Sequence, residues 1–269
     1  MSKFTSEEAK DKVLKYYDTL LGRISVKYEN INVQSRFGDT YCIAAGEDSA
    51  FPLILLHSGN MNSSFWIEDI AVFSKFFKVY AIDIPGEPGK SSDQILSFDT
   101  DDYSDWLSDV LDFLDVKKAI LIGASLGAFA AIKFSINHAE KVSKLVLLSP
   151  LGIVIENKVF PKVESAINDV LGFINEGNPL PDVLLNYQKY IEARINSRKD
   201  PIALFDDEDL KKLNMPCALF LGENDDAIDV DEIQNRFKDL VKDSEIVILK
   251  DKKHDLTGIS DDILKFLKK

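Results

Sequence analysis

Residues 119–134, AILIGASLGAFAAIKF, decide the fold, because an apolar run there turns directly into an alanine-rich helical segment. Gly123 and Gly127 flank Ser125 at the junction. A sharp turn from a strand into a helix brings backbone segments so close that side chains would clash, and glycines avoid that clash. The first free N–H groups of the helix favour negative charge beside the serine. The pattern predicts a Ser125 hydroxyl that projects from a tight turn, with the N–H of Leu126 available to an oxyanion.

Six unbroken apolar runs alternate with helical segments along the chain. Such runs are typical of parallel strands in a sheet that helices cover on both faces. They are PLILLH (52–57), FKVYAID (77–83), AILIG (119–123), KLVLLS (144–149), CALFLG (217–222) and EIVILK (245–250). Two alternating segments, SVKYENINVQSR and TYCIAAG, precede them and predict an antiparallel pair at one edge. Residues 5–21 predict a first amphipathic helix that Ser6 caps. The fold class is therefore α/β, with a mostly parallel central sheet.

One long interval, between KLVLLSP and MPCALFLG, interrupts this alternation and is far longer than an ordinary loop. It contains helix-like pieces such as FPKVESAINDVLGFI and LPDVLLNYQKYIEARINS but no clear strand. We predict a core formed by residues 1–150 and 210–269, and a helical cap inserted over the sheet at residues 151–209. The mixture of apolar and charged side chains in this cap suggests an apolar pocket for a modest acyl or alcohol group.

Composition narrows the function classes for this chain of 269 residues. The net charge of −13 disfavours nucleic-acid binding, because phosphate contacts need a basic surface. No apolar run approaches the roughly 18 residues of a membrane span, and the charged start, MSKFTSEEAKDK, lacks the apolar core of a secretory signal. We therefore predict a cytoplasmic protein without a membrane partner. No heptad pattern indicates an oligomer, so a monomer or a small homo-oligomer is expected.

Cysteine usage points away from metal and disulfide chemistry. Cys42 and Cys217 both lie in apolar, strand-like runs. Buried, reduced thiols are the usual outcome of that placement, and the two cysteines have no metal-type spacing. The sequence thus predicts no metal site and no disulfide.

A serine hydroxyl is a weak nucleophile until a neighbouring base accepts its proton, and the chain offers three histidines. His138 follows the helix after Ser125 and is expected to lie exposed at that helix end. His57 ends the first core strand, where a structural hydrogen-bonding role is expected. His254 lies in a polar loop, LKDKKHDLTG, after the last strand, at the sheet edge where α/β sites form. We therefore predict His254 as the base.

An acid that orients the histidine is expected just after another strand. The segment CALFLGENDDAIDV supplies several carboxylates there. We predict that Asp225 holds the histidine tautomer and stabilises the imidazolium, with Asp226 as the alternative. A solvated acidic run that caps a helix is the competing interpretation, and a calcium loop is disfavoured because the EF-hand spacing is absent. The resulting order is Ser125, Asp225, His254, the order of an α/β-hydrolase triad.

At this point the chain resembles the α/β-hydrolase family over nearly its whole length, and most closely the small bacterial carboxylesterase-like hydrolases with a helical cap. LILLHSGNMNSSFW resembles the HG-x…W segment, and VYAIDIPGEPGKSS resembles the D-x-x-G-x-G-x-S segment with extra residues. LIGASLGAFAAIKF resembles the nucleophile elbow, LGENDD the acid-bearing turn and KKHDL the histidine loop. Two positions depart from the family pattern. Ser58 replaces the usual glycine after His57, and Ala128 replaces the glycine that often follows the elbow.

The resemblance implies a second oxyanion donor in the loop after His57, where Gly59 is the best match and Asn60 the next. It implies hydrolysis of a small-molecule carboxylic ester through an acyl-enzyme on Ser125, without a metal or organic cofactor. The same triad cleaves thioesters or carbon–carbon bonds in some relatives, and other relatives act as slow-turnover ligand sensors, so these alternatives stay open. Haloalkane dehalogenation is disfavoured, because an aspartate takes the nucleophile position in that branch.

Overall fold

The computed structural model describes residues 3–155, 170–175, 177–196 and 198–269. These ranges contain eight strands and nine α-helices. The strands are β1 (Tyr28–Ser35), β2 (Gly38–Ala45), β3 (Pro52–Leu56), β4 (Lys78–Ile82), β5 (Ala119–Ala124), β6 (Val142–Leu148), β7 (Cys217–Gly222) and β8 (Ser244–Leu249). The helices are α1 (Glu7–Leu21), α2 (Ile67–Phe73), α3 (Asp102–Phe113), α4 (Leu126–Asn137), α5 (Val170–Asn175), α6 (Leu180–Glu192), α7 (Asp207–Leu210), α8 (Val230–Leu240) and α9 (Ser260–Leu267).

All eight strands form one sheet in the order β1-β2-β4-β3-β5-β6-β7-β8. Strands β3 to β8 pair in parallel, whereas β2 pairs antiparallel with both β1 and β4. The predicted α/β class and the predicted antiparallel edge are both confirmed. Because the six core strands are parallel, the loops at their carboxyl ends meet along one edge, where ligand sites of such sheets form.

Apolar side chains cover both faces of the sheet, as the unbroken apolar strands predicted. On one face, α1, α2, α6 and α9 pack against side chains such as Leu53 and Ile122. On the other face, α3, α4 and α8 pack against side chains such as Ile54 and Leu121. Cys42 and Cys217 are buried free thiols, as expected from their place in strands β2 and β7.

The first helix begins where its capping residue predicted. The Ser6 side chain accepts a hydrogen bond from the N–H of Ala9, and the helix runs from Glu7 to Leu21. A serine at this position satisfies one of the helix N–H groups that lack an intrahelical partner. The apolar stripe of α1 faces α6, where the rings of Tyr16 and Tyr190 meet edge to face at 4.8 Å.

The interval between β6 and β7 contains α5, α6 and α7 within its described residues. The predicted piece LPDVLLNYQKYIEARINS begins with α6, whose Tyr187 hydroxyl donates to the carbonyl oxygen of Val13 at 3.0 Å. Most of the other predicted piece, FPKVESAINDVLGFI, lies outside the described residues. The cap boundaries at residues 151 and 209 stay a prediction.

A buried carboxyl group joins two helices on one face of the sheet. Asp69 on α2 is 5% exposed, and its Oδ1 atom accepts the hydroxyl proton of Ser260 on α9 at 2.5 Å. Burial raises the pKa of the Asp69 carboxyl to about 7, although the hydrogen bond from Ser260 opposes the rise. Because the folded state holds this proton more tightly than the unfolded chain, the stability that Asp69 contributes is lost as the pH rises toward 7.

We expect the Asp69→Asn variant to gain stability relative to the wild type as the pH rises. The gain should grow between about pH 4, near the pKa of an aspartate in an unfolded chain, and about pH 7, reaching about 4 kcal/mol at most. Urea denaturation of both proteins at a series of pH values measures it. Glu68→Gln, an exposed neighbour on the same helix, serves as the control and should keep the wild-type pH dependence. A stability difference that does not change with pH would contradict the assignment.

Candidate active site

Ser125 occupies a strained turn between β5 and α4. Its φ of 51° and ψ of −108° place a residue with a side chain in a sparsely populated backbone conformation. The N–H of Ser125 donates to the carbonyl oxygen of Leu148 on β6 at 2.8 Å, and its own carbonyl oxygen accepts from the N–H groups of Ala128 and Phe129. The turn is therefore held from the neighbouring strand and from the helix that follows it.

The two glycines around Ser125 are required by backbone contact. A Cβ atom at Gly123 would lie 2.3 Å from the carbonyl oxygen of Gly127, and one at Gly127 would lie 2.1 Å from the carbonyl oxygen of Leu56. Real Cβ atoms do not approach backbone atoms this closely. The predicted reason for these glycines is confirmed, and β3, β5 and α4 meet here without side chains between them.

The side chains of Ser125, His254 and Asp225 form a continuous chain of hydrogen bonds. Nε2 of His254 lies 3.0 Å from Oγ of Ser125. Nδ1 of His254 lies 2.8 Å from Oδ2 and 3.1 Å from Oδ1 of Asp225. Because an ionised carboxylate only accepts hydrogen bonds, Nδ1 carries the ring proton, and Nε2 is the hydrogen-bond acceptor that faces the serine hydroxyl.

Burial distinguishes Asp225 from the acids beside it. The Asp225 side chain is fully inaccessible, and its Oδ1 atom also accepts the N–H of Ala227 at 3.0 Å. Asp226 is exposed to solvent. Asp229 accepts the N–H of Glu232 at 2.9 Å and caps α8. The acidic run thus contains both a buried partner for His254 and the helix cap that the competing interpretation expected.

A direct backbone contact holds the acid turn against the histidine loop. The N–H of Asn224 donates to the carbonyl oxygen of Lys252 at 2.9 Å. A Cβ atom at Gly222 would lie 2.3 Å from the carbonyl oxygen of Lys253, the residue before His254. Sequence reasoning missed this role of Gly222, because only the contact between two distant loops shows it.

Gly59, in the loop after β3, lies next to Leu126, the residue that follows Ser125. Gly59 faces the first turn of α4, since a Cβ atom there would lie 3.6 Å from Cβ of Leu126. Within the described part of the chain, the N–H groups of Gly59 and Leu126 have no acceptor. The N–H of Asn60, the alternative donor, is already bonded to Oε2 of Glu87 at 2.6 Å. These contacts favour Gly59 over Asn60.

His57 fixes the direction of the Gly59 N–H. The buried ring accepts the N–H of Ile84 at Nε2, at 2.9 Å, so its proton lies on Nδ1 and donates to the carbonyl oxygen of Ser58 at 2.8 Å. Burial lowers the pKa of His57, which favours this neutral form. The Ser58 carbonyl and the Gly59 N–H belong to one trans peptide, in which they point in opposite directions. The expected structural role of His57 is confirmed.

Similarity to known proteins identifies the family of this chain. The family model described as the alpha/beta hydrolase fold matches residues 52–180. The uncharacterized carboxylesterase nap of Bacillus subtilis (strain 168) is 30% identical over 275 residues, which cover 93% of this chain and 89% of that protein. The chain belongs to the α/β-hydrolase family.

Solved structures of this family superpose on nearly the whole chain. Carboxylesterase CesB (YbfK) from Bacillus subtilis has a TM-score of 0.83 and 26% identity, over 97% of this chain and 98% of that chain. Naproxen esterase (carboxylesterase NP) from the same organism has a TM-score of 0.80 and 28% identity, over 94% and 96%. The α/β-hydrolase fold and the resemblance to bacterial carboxylesterases are therefore confirmed.

Ser58 departs from the family pattern, and His138 departs from its expected exposure. The hydroxyl of Ser58, at the position where the family usually has glycine, is buried and has no hydrogen-bond partner within the described residues. His138 was expected to be exposed, and that expectation is wrong. It is half-buried at the end of α4 because its ring packs on Phe134, with ring centroids 4.8 Å apart.

Neither a metal-type cluster nor a membrane-spanning helix occurs in residues 3–155, 170–175, 177–196 and 198–269. In these ranges no group of three or more His, Cys, Asp or Glu is arranged to hold a metal ion. None of the described helices is both long and apolar enough to cross a membrane.

We expect Gly222→Ala to lower ester turnover about 100-fold, because an added methyl group separates the acid turn from the histidine loop and a shift of about 1 Å has that effect. Gly258→Ala is the matched control in the same loop. Its backbone is left-handed, with φ of 72°, but apart from its two chain neighbours no described residue has an atom within 4 Å of an added Cβ. Initial rates measure the loss of turnover in both variants, and thermal melting measures any loss of stability. Equal rates for the two variants would contradict the proposed contact.

Proposed function

We propose that this chain is a serine hydrolase that cleaves a small-molecule carboxylic ester through an acyl-enzyme on Ser125. One observation carries the proposal. A hydroxyl, an imidazole and a buried carboxylate lie in hydrogen-bonded order, with 3.0 Å from Oγ of Ser125 to Nε2 of His254 and 2.8 Å from Nδ1 to Asp225. These three groups, in this arrangement, activate a hydroxyl for attack on a carbonyl carbon.

In the first half of the reaction, Oγ of Ser125 attacks the ester carbonyl while Nε2 of His254 takes the hydroxyl proton. Asp225 stabilises the imidazolium that forms and stays ionised. The carbonyl oxygen becomes an oxyanion, which the N–H groups of Leu126 and Gly59 stabilise. A donor of this kind lowers the barrier by about 3 kcal/mol. His254 then gives its proton to the departing alcohol, and the acyl group remains on Ser125.

In the second half, a water molecule replaces the alcohol. His254 takes a proton from the water as it attacks the acyl-enzyme, and returns that proton to Oγ of Ser125 as the acid leaves. The oxyanion forms a second time at the same two N–H groups. Each step uses only side-chain and backbone groups of this chain, so the proposal includes no metal or organic cofactor.

The relatives support an ester as the substrate class. The similar proteins are named carboxylesterases, and one of the solved structures is named naproxen esterase. The same triad chemistry also serves thioesters and certain carbon–carbon bonds, so rates with matched ester and thioester leaving groups, and with a dienoate-type substrate, test the ester assignment. The cytoplasmic location, the absence of nucleic-acid and membrane partners, and a monomer or small homo-oligomer stay predictions from the sequence.

We expect wild type to hydrolyse p-nitrophenyl butyrate over many turnovers and Ser125→Ala to lose activity by about 10⁴-fold or more, since the nucleophile is gone. His254→Ala should lose nearly as much, because nothing else accepts the serine proton. Release of p-nitrophenol measures both rates, and circular dichroism checks that the variants fold. A single turnover, or none, by folded wild-type protein would favour a slow ligand sensor instead.

Asp225→Asn and Asp226→Asn form a matched pair for the acid. We expect Asp225→Asn to lose activity by about 10⁴-fold because the amide leaves the imidazole in the wrong tautomer. Asp226 is exposed, so its variant should keep the wild-type rate. The reverse outcome would assign the acid to Asp226.

We expect kcat/KM to fall as the pH is lowered from about 8 to about 5, because a protonated His254 cannot accept the serine proton. The rate of p-nitrophenyl butyrate hydrolysis at constant ionic strength measures the profile, with product read at a wavelength that does not depend on pH. A flat profile across that range would argue against a histidine base.

A further inference from the structure

The loop that carries the proposed Gly59 donor is tied to the loop after β4. The N–H of Asn60 donates to Oε2 of Glu87 at 2.6 Å. Hydrogen bonds to an ionised carboxylate are shorter and stronger than bonds between neutral groups. Because Asn60 directly follows Gly59, this bond acts one peptide unit away from the proposed oxyanion donor.

The Gly59 N–H needs a hydrogen bond that holds its loop in place, because glycine has a flexible backbone. Gly59 has no Cβ atom, so its backbone rotates more freely than that of other residues. His57 fixes the peptide before Gly59 through the Ser58 carbonyl, at 2.8 Å. The peptide after Gly59 ends in the N–H of Asn60, whose own φ of 57° lies in the left-handed region. Without an acceptor for that N–H, only one side of Gly59 would be fixed.

We propose that Glu87 is a positioning residue for ester hydrolysis. Its carboxylate accepts the Asn60 N–H and thereby holds the peptide after Gly59, so that the Gly59 N–H stays directed at the oxyanion. This inference rests on the function proposed above. Glu87 acts through Asn60 and does not itself contact the reacting atoms.

The Glu87 loop is itself well anchored. The carbonyl oxygen of Glu87 accepts a hydrogen bond from Nζ of the buried Lys3. The carbonyl oxygen of the next residue, Pro88, accepts from Nδ2 of the buried Asn62 at 2.9 Å. Glu87 and Pro88 stand between two glycines in the sequence DIPGEPGKS, where the family pattern D-x-x-G-x-G-x-S has one residue. The longer loop therefore brings a carboxylate to the donor loop.

A third set of hydrogen bonds joins the loop after β3 to the loop after β4, and it involves Asp83, the first residue after β4. Asp83 is buried, and its carboxylate accepts the N–H of Ser63 and the N–H of Lys90, each at 2.8 Å. The Tyr17 hydroxyl also donates to Asp83, at 2.9 Å. Asp83 therefore holds the loop after β3 against the loop after β4. The Glu87 bond fixes the orientation of the peptide between Gly59 and Asn60.

The proposal requires a hydrogen-bond acceptor at Glu87 and does not require its charge. Burial raises the pKa of the Glu87 carboxyl, while the Asn60 N–H and the charges of Lys3 and Arg198 act against the rise. A negative charge beside a developing oxyanion opposes catalysis, whereas a correctly directed N–H group assists it. The amide oxygen of a glutamine accepts the same N–H without the charge.

We expect Glu87→Ala to lower kcat for p-nitrophenyl butyrate about 10- to 100-fold, less than the 10²- to 10³-fold loss when an oxyanion donor is removed outright. KM should change by less than about threefold, because the bond acts on the transition state and not on ground-state binding. Glu87→Gln should restore kcat to within about threefold of wild type, because it keeps the acceptor. Asp93→Asn is the matched control, since Asp93 also lies near Lys3, at 3.7 Å, and should leave kcat unchanged.

Wild-type kcat in Glu87→Ala would overturn the proposal, and so would a loss in Glu87→Gln as large as in Glu87→Ala. A second measurement does not depend on turnover. In spectra of ¹⁵N-labelled protein, the Asn60 amide should resonate downfield and exchange slowly in wild type and in Glu87→Gln, and both properties should be lost in Glu87→Ala. If wild type fails to turn over the ester, the proposed function fails, and this measurement still decides whether Glu87 fixes the donor loop. An Asn60 amide that is unchanged in Glu87→Ala would overturn the inference.

Discussion

Direct contact between backbones at the end of β5 is the constraint on which the site depends. The Cα of Gly127 meets the carbonyl oxygen of Leu56, and the Cα of Gly123 meets the carbonyl oxygen of Gly127, with no space for a Cβ atom at either glycine. This approach places the first turn of α4 directly against the end of β3. As a result, Gly59 in the loop after β3 faces Leu126, the residue that follows Ser125. Larger residues at either glycine would force these elements apart.

The parallel sheet brings the remaining groups to the same edge. Strands β7 and β8 pair in register through Gly222 and Leu249, so the loops after them leave the sheet side by side. The acid turn and the histidine loop then share a backbone hydrogen bond between Asn224 and Lys252. Side chains separated by 129 positions in sequence, Ser125 and His254, thus come within hydrogen-bond distance. Ser125 directly follows β5, whereas Asp225 and His254 lie in the loops that follow β7 and β8.

Much of this site follows from residue types and their order, but its supporting contacts do not. Ser125 was singled out because two glycines flank it at the end of an apolar strand, and His254 because it is one of three histidines and lies in the loop after the last strand. Residue types alone offered no physical reason to prefer Asp225 over the adjacent Asp226. The structure distinguishes them, because Asp225 is buried and Asp226 is exposed. Gly222 and Glu87 carry no local signal, since each acts on a loop distant in sequence. Such contacts depend on how two loops meet, which periodicity and motif spacing do not describe.

Polar groups around Ser125 differ in whether they have a hydrogen-bond partner. Buried polar groups in folded proteins are nearly always paired, and Asp225, Asp83 and His57 each have partners from more than one segment of the chain. Among the described residues, the backbone N–H groups of Gly59 and Leu126 lack an acceptor. An unpaired donor that is held rigidly needs no reorganisation when an oxyanion forms. In the reaction proposed above, the contacts around Gly59 would favour the transition state by holding its N–H group in place for the oxyanion.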